Sequence, residues 1–433
     1  MRASDSVESQ QLRVRRALAI AVVFVFAVQL VFDAQFLRAT FPPEPGDGRD
    51  LLAFVTAGRI YASSDPGPAG VYDLESQRQV QEVLTGLTIA PGSGLPFMHP
   101  PHLLSLQAWL TRFSYTGYWL FWSCFSICCL LAGLGALGRA LRGAGVPRDT
   151  FAVFAAAGLV FAPFVISIVH GQDTAFVYLG IAGWIAALLA GRDFGAGLAL
   201  SLATLRPHLA IVLAVPFLFA RRRVFVGFVV GSSAWLCWAL ATVGIAGVLG
   251  FISAIASVAG LSEFGVDPRP MVNIAGLIRR LLPDSGLTAA RVFAWMTWLG
   301  TLLFLCWRWS GSRSAGGPAA ADLGLAVVLS LVFSPHLNFS DLAMLHAAAA
   351  PALLRARSLP AVRTPSLPSR LSAAPVILTV LLVSLLVSAA TMSPQPLADV
   401  WLVAAYALAL GLTVGALPKS RTPVRAGPTA PAS

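Results

Sequence analysis

The residues best suited to acid–base chemistry begin with an aspartate that follows the first apolar run. Asp50 stands in Gly48-Arg49-Asp50, directly before a short apolar stretch, Leu51–Ser63, that predicts a helix. An aspartate at a helix start commonly caps free backbone N–H groups. A carboxylate at a membrane surface can also take a proton from a substrate hydroxyl, as a general base. Both roles are open for Asp50, and one residue can fill both.

Two further segments bring polar side chains between apolar runs. His99 and His102 flank two prolines, which can set a rigid entry to the next helix. Alternatively, the two histidines could form part of a metal site, although no third ligand lies nearby. Gln172 and Asp173 follow His170 and a glycine, a pattern typical of a turn that could also form the rim of a sugar site. Other candidates for substrate binding are Arg59, Tyr72, Asp73, His336, Asn338 and Asp341.

An arginine interrupts an apolar stretch at Arg206-Pro207-His208. Arginines flank both ends of this stretch, so both ends are predicted to be cytoplasmic and the stretch to form a hairpin of half-spans, 195–204 and 207–220. Each half is about 15–20 Å long and stops short of crossing a ~30 Å hydrocarbon core. A guanidinium at the tip needs a partner, which is either a carboxylate on another span or the phosphate of a substrate.

The elements that must position these residues are membrane helices. Of the 433 residues, 57% are hydrophobic and 11% are charged, with a mean hydropathy of +0.77, whereas a soluble domain has about 25% charged residues. This composition predicts an all-α polytopic membrane protein with about ten to twelve transmembrane segments. The net charge of +11 marks the ends of spans, so no nucleic-acid partner is expected.

The arrangement of the arginines predicts an orientation. With both termini in the cytoplasm, most basic residues fall on the inside, as the positive-inside rule requires. The predicted spans are 17–37, 115–138, 150–169, 173–190, the broken pair 195–204 and 207–220, 224–246, 290–309, 321–334, 341–353, 373–391 and 397–416. Two long extracytoplasmic loops, 38–114 and 247–289, then face outward with the polar clusters. Residues 1–417 form one membrane domain, and 418–433 is predicted to be a disordered cytoplasmic tail.

Taken in order, these motifs resemble glycosyltransferase family 87. The order is Asp50 after the first span, Ala-Gly-Arg and Tyr-Asp downstream, a Pro-Pro segment, a Gly-Gln turn, a basic residue before proline and a Ser-Pro…Asp-Leu segment. The likeness covers about Asp50 to Leu345. It departs from the family's common pattern at Arg206, where lysine is more frequent, and at His99 and Asp173, where tyrosine and asparagine are common.

The resemblance implies a GT-C fold and transfer of mannose, another hexose or arabinofuranose from a polyprenyl-phosphate-sugar donor to a glycolipid or glycan acceptor. It implies an inverting reaction outside the cytoplasm of a bacterial plasma membrane, among membrane lipids, with no metal and no cofactor. Such a transfer needs a base for the acceptor proton, for which Asp50 is expected, and a cation for the phosphate, for which Arg206 with His336 is expected. Residues expected to bind substrate are Arg59, Tyr72, Asp73, His99, His102, Gln172, Asp173, His208, Asn338 and Asp341.

A polytopic transporter or flippase for lipid-linked sugars or polysaccharides is the main alternative. Transporters of that kind place polar residues at the membrane midplane and break helices in paired halves. Here the polar clusters gather toward the outer face, and only the 195–220 hairpin fits the transporter pattern. The enzyme is therefore favoured, while the sugar, the acceptor, the linkage and the oligomeric state stay open.

Overall fold

The computed structural model describes residues 2–47, 49–64, 67–91, 94–259, 271–282, 287–311, 318–358 and 373–415. Every regular element in these ranges is a helix, in agreement with the all-α prediction. The predicted tail 418–433 lies outside the described residues, as do parts of the predicted second loop at 260–270 and 283–286.

The described chain forms α-helices joined by short 3-10 helices. In chain order the α-helices are α1 Arg2–Thr40, α2 Leu51–Ala62, α3 Leu74–Thr85, α4 Leu104–Leu110, α5 Tyr115–Gly143, α6 Arg148–Leu159, α7 Ala162–His170, α8 Thr174–Leu189, α9 Asp193–Leu200, α10 Pro207–Ala214, α11 Phe217–Ala220, α12 Arg222–Ala259, α13 Ile274–Leu281, α14 Leu287–Ser310, α15 Ala320–Val332, α16 Met344–Ser358, α17 Ala374–Met392 and α18 Leu397–Gly415. The 3-10 helices are Pro45–Asp47, Pro68–Tyr72, Pro101–Leu103, Ser201–Leu205 and Phe339–Ala343.

Six of the described helices are long and apolar enough to cross a membrane. They lie within α1, α5, α12, α14, α17 and α18, and the pair α6–α7, bent by 43°, makes a seventh if it counts as one span. The other predicted spans coincide with apolar helices of 10–17 residues, which are shorter than the roughly 20 residues that a full crossing needs. The protein is therefore a multi-pass membrane protein, and the count of ten to twelve crossings stays a prediction.

The predicted break at Arg206 is present. The backbone of Arg206 is not helical, with φ −121° and ψ 76°, and it separates the 3-10 helix Ser201–Leu205 from α10. Proline at the first position of α10 explains the break, because its ring disfavours the helical conformation for the residue before it. The Arg206 side chain is thus set at the junction of two short helices.

The helix after this hairpin extends beyond its predicted end. The predicted span 224–246 was followed by a loop from 247, but α12 continues to Ala259 after one non-helical residue, Gly244, with φ 67°. After the glycine the chain resumes its helix and packs on the first long loop, so a helix occupies the start of the predicted loop 247–289, and the side of the membrane that this loop faces stays a prediction. In that contact the Phe251 ring lies 5.4 Å from the Tyr72 ring.

The segment between α1 and α5 folds into a small helical unit with its own core. It contains α2, as predicted from Leu51–Ser63, together with α3 and α4. Phe54 of α2 packs against Phe97 and against Trp122 of α5, with ring centroids 5.8 and 5.6 Å apart. This core fixes the start of α2, and therefore Asp50, against the membrane helices.

Candidate active site

Asp50 stands at the N-cap position of α2, but its side chain does not cap the helix. Its backbone is already helical, with φ −59° and ψ −22°, and no capping hydrogen bond from the helix reaches the carboxylate. The side chain is half-buried, and its Oδ2 accepts a hydrogen bond from Nε2 of Gln172. The Asp50 carboxylate therefore does not cap α2.

The residue before Asp50 ties this part of the chain to two membrane helices. Arg49 is buried and pairs with Asp47 at 2.8 Å. Its guanidinium also donates to the carbonyl oxygen of Thr40, at the end of α1, and to that of Val169 in α7 at 3.4 Å. The position of Asp50 is thus set from the α1 end and from the α7 end together.

A tight turn after α7 brings Gln172 to Asp50. Gly171 ends the helix with φ +68°, and a Cβ at this glycine would lie 2.5 Å from a methyl carbon of Leu51, so the turn packs directly on the start of α2. The buried Gln172 amide donates to Asp50 through Nε2 and accepts from Nη2 of Arg206 through Oε1 at 3.2 Å. One amide therefore bridges the carboxylate and the guanidinium.

Arg206 lies at the centre of a buried charged cluster. It forms ion pairs with Oδ1 of Asp173 and with Oδ1 of Asp341, each at 3.0 Å, and all three side chains are almost inaccessible to solvent. The carboxylates come from the turn before α8 and from the 3-10 helix Phe339–Ala343. The carboxylate partner that was one of the two possibilities for this arginine is thus present twice, and one guanidinium faces two negative charges.

His99 completes this cluster from the first long loop. Its Nδ1 lies 2.9 Å from Oδ2 of Asp173 and 3.1 Å from Nη1 of Arg206, and its ring packs on Phe54 at 4.7 Å. The hydroxyl of Tyr72 donates to the His99 carbonyl at 2.8 Å. Tyr72 itself is buried, so its observed contact supports the loop that carries His99.

The segment before α16 supplies the second carboxylate and one imidazole, His336. The backbone N–H of Asn338 donates to Oδ2 of Asp341 at 3.2 Å, and the hydroxyl of Thr174 approaches Oδ1 at 3.5 Å. Asp341 is thus held from its own turn and from the start of α8, while Arg206 holds it across the site. The imidazole of His208 hydrogen-bonds to the backbone of His336, which places both histidines beside this segment.

The protonation of His336 limits what it can offer to a substrate. Burial lowers the pKa of this imidazole, Asp341 opposes that effect and Arg206 adds to it. His336 is consequently neutral near neutral pH. It can donate a hydrogen bond to a phosphate oxygen but brings no full positive charge.

Three of the predicted substrate-binding residues lie outside the Arg206 cluster in the described structure. Asp73 caps α3, because its Oδ2 accepts from the backbone N–H of Ser76 at 2.8 Å. His102 stacks on the Trp235 ring at 4.9 Å and lies 3.0 Å from the Thr204 hydroxyl. The side chain of Arg59 is exposed in the last turn of α2, and no contact within the described residues joins it to the Arg206 cluster.

Some residues of this arrangement were not selected from the sequence. Arg49 and His170 stood inside two of the motifs, and Thr174 directly follows one, but none was named as a site residue. A basic residue beside Asp50 was the available signal for Arg49. Within the part of the chain that the structure describes, no group of three or more His, Cys, Asp or Glu side chains is arranged to hold a metal ion.

The arrangement therefore joins a partly accessible carboxylate to a fully buried charged network through one amide. Such a carboxylate can accept a proton from a hydroxyl, and the surrounding network can hold it in place.

Comparison with known proteins gives one match. The family model described as Glycosyltransferase family 87 matches residues 97–335, more than half of the chain. The matched range includes His99, Gln172, Asp173 and Arg206, whereas Asp50 precedes it. No curated protein and no solved structure matches the chain.

Proposed function

Because the chain belongs to glycosyltransferase family 87, we propose that it transfers a sugar from a polyprenyl-phosphate-sugar donor to an extracytoplasmic glycolipid or glycan acceptor. The chain is a glycosyltransferase and a multi-pass membrane protein. Its proposed donor is a polyprenyl-phosphate sugar that carries mannose, another hexose or arabinofuranose. A donor with a polyprenyl chain reaches an intramembrane site sideways through the bilayer, which suits a protein made of apolar helices.

The observation that carries the proposal is the environment of Asp50. Its carboxylate is partly accessible, makes no helix cap and is held by the Gln172 amide. We assign Asp50 as the general base. It takes the proton of the acceptor hydroxyl while that oxygen forms a bond to the anomeric carbon of the donor. The bond from that carbon to the phosphate oxygen breaks, and the polyprenyl phosphate leaves with the electron pair, which inverts the anomeric configuration.

Arg206 and His336 are proposed to face the donor phosphate. Arg206 is already paired with Asp173 and Asp341, so its attraction for a phosphate is smaller than that of an unpaired guanidinium. Part of its contribution is then to hold Gln172, and through it Asp50, in place. His336 would add a neutral hydrogen bond, and His99 and His208 lie close enough to these groups to contact the sugar.

The orientation of the protein is part of the same proposal. Both termini in the cytoplasm of a bacterial inner membrane would place the start of α2 and the turn at Gln172 toward the outer face. This orientation is supported by the excess of arginine in the segments on the cytoplasmic side. The acceptor is then a glycolipid or glycan of the cell envelope.

The test is sugar transfer by the purified protein in lipid nanodiscs. Radiolabelled polyprenyl-phosphate sugars serve as donors, and solvent-extracted envelope glycolipids serve as acceptors. Asp50→Asn should lower the transfer rate by about 10²–10⁴-fold, because a general base contributes about that factor. Equilibrium binding of the donor should stay near the wild-type value, because the amide keeps the shape of the carboxyl group.

Glu75→Gln is the matched control for this experiment. Glu75 is an exposed carboxylate in the same long loop, paired with Arg78 at the surface, and its variant should transfer sugar at the wild-type rate. Transfer by Asp50→Asn at the rate of the Glu75→Gln control would remove Asp50 from the role of base. A wild-type protein that transfers no sugar from any of the donors would contradict the proposed donor class.

A further inference from the structure

An open cavity lies beside Asp50, outside the Arg206 cluster. It has a volume of about 360 Å³ and is bounded by the end of α1, by Phe41, Pro42, Asp47 and Arg49, and by the end of α7. Small-molecule sites in proteins have volumes of about 300–1,000 Å³, so the cavity has room for a sugar-sized group.

Two residues that line the cavity are close to Asp50 in the chain or through one hydrogen bond. Arg49 directly precedes Asp50. His170 is two residues from Gln172, which donates to Asp50. Because neighbouring Cα atoms are about 3.8 Å apart, the cavity lies near the proposed proton acceptor.

The charged side chains that line the cavity already pair with one another. The Arg49 guanidinium pairs with Asp47 at 2.8 Å and donates to two backbone carbonyl groups. The Asp47 carboxylate also accepts from the backbone N–H of Glu44 at 3.0 Å. A phosphate would therefore find no unpaired arginine or lysine in this wall, which disfavours the charged end of the donor as its occupant.

The remaining lining suits a neutral hydroxylated ring. No hydrogen bond joins the His170 imidazole to another residue in the described part of the chain, so its donor and its acceptor are available to hydroxyl groups. Phe36, Phe41 and Pro42 supply apolar faces beside it. Ligand sites commonly combine apolar and aromatic walls with a few polar groups that orient the ligand.

We propose that this cavity is the acceptor pocket, which takes the neutral sugar headgroup of an amphiphilic acceptor and presents one of its hydroxyls to Asp50. His170 contacts that headgroup directly. The lipid part of the acceptor lies along the exposed end of α1, where Leu37 and Phe41 are accessible. This inference rests on the proposed function for its catalytic meaning, but headgroup binding can be measured without transfer.

Two alanines on α1 provide a matched pair of variants. Ala39 lines the cavity, whereas Ala34, also exposed on α1, does not. Ala39→Phe should fill the cavity and raise the KM for the acceptor at least about tenfold, as expected when a pocket loses its fit. Ala34→Phe should leave that KM unchanged, and both variants should bind the radiolabelled polyprenyl-phosphate sugar as the wild type does.

Chemical protection of His170 tests binding independently of activity. The protein in nanodiscs is treated with diethyl pyrocarbonate, and modification of His170 is measured by mass spectrometry. Octyl glucoside and octyl mannoside are the probes, and octyl tetraethylene glycol, which has the same tail and no sugar ring, is the control. We expect the glycosides to protect His170 in the wild type and in Ala34→Phe, but not in Ala39→Phe.

Each outcome separates the pocket from the proposed function. Protection of His170 by the glycosides in a wild type that transfers no sugar would support the pocket and overturn the donor proposal. Equal protection by octyl tetraethylene glycol would overturn a sugar pocket, since the tail alone would then account for binding. Loss of donor binding in Ala39→Phe would also overturn the acceptor pocket, because it would place the donor in the cavity. An active Ala39→Phe enzyme with an unchanged acceptor KM would overturn the pocket as well.

Discussion

Two of the buried polar networks among the described helices differ in where they end. The first contains Arg206 with its two carboxylates and reaches the half-buried Asp50 through Gln172. The second centres on His346 in α16, whose ring lies 2.9 Å from the Tyr178 hydroxyl and 3.1 Å from the Phe154 carbonyl oxygen.

The His346 network is closed. Both ring nitrogens have partners, and Phe154 stacks on the imidazole with centroids 4.2 Å apart. A Cβ at Gly158 would lie 2.7 Å from His346 Nε2, so no space remains at that side of the ring. The Arg206 network instead carries an excess of carboxylates and ends on an accessible one. Burial of polar groups is therefore shared by both networks, and an accessible carboxylate at the end of the network is what distinguishes the proposed site.

The largest effect on stability and transfer is expected from removing the positive charge of Arg206. Arg206→Ala leaves two buried carboxylates without their cation, and the loss of one partner of a buried pair costs about 3–5 kcal/mol. We expect a loss of that size in the free energy of unfolding, measured by denaturant titration in mixed micelles, together with loss of transfer. Arg221→Ala is the control, because its pair with Asp193 is partly exposed and should contribute about 1 kcal/mol or less. Equal stability of the two variants would show that the Arg206 cluster does not need its cation.

A smaller effect is expected at the bridge between the two parts of the site. Gln172→Leu removes the amide that holds Asp50, and the loss of a buried hydrogen-bond partner, about 1–3 kcal/mol, corresponds to a rate lowered by about 10–100-fold. Donor KM should change little, since the amide contacts Asp50 rather than the lipid. Gln107→Leu is the control, because Gln107 is also buried and its Oε1 has no partner within the described residues. A reduced rate in the control, or a wild-type rate in Gln172→Leu, would argue against the bridge.

The smallest effect on transfer is expected in the closed network. His346→Leu leaves the Tyr178 hydroxyl unpaired and should lower the free energy of unfolding by about 1–3 kcal/mol. The transfer rate per folded molecule should stay at the wild-type value. A lower transfer rate with unchanged stability would mean that the His346 network is coupled to the Arg206 network and also contributes to transfer.

Much of the fold is predictable because apolar runs report helices directly. The stretch after Asp50 is helical as predicted, and the proline after Arg206 breaks the chain where expected. The helix that follows Gly244 inside the predicted loop 247–289 was not predicted. Its packing on Tyr72 is a contact between residues far apart in the sequence, which no local pattern reports.

The site was predictable in its members but not in its pairings. The sequence selected Asp50, Gln172 and Arg206 as unusual polar residues, and the structure brings them together. It favoured a phosphate over a carboxylate as the partner of Arg206, because Asp341 lies 135 residues away and no local pattern links them. The cap formed by Asp73 also depends on backbone angles, which residue type alone does not specify.

The pairing of Arg206 with Asp341 also sets an order of assembly while the protein is being synthesised. Asp173 and Arg206 leave the ribosome close together, so a one-to-one charge pair is available first. Asp341 follows only after α14 and α15 have been translated. Until Asp341 is synthesised, Asp173 is the one aspartate of this cluster that can pair with Arg206, so the cluster can be completed only after the 3-10 helix Phe339–Ala343 has been made.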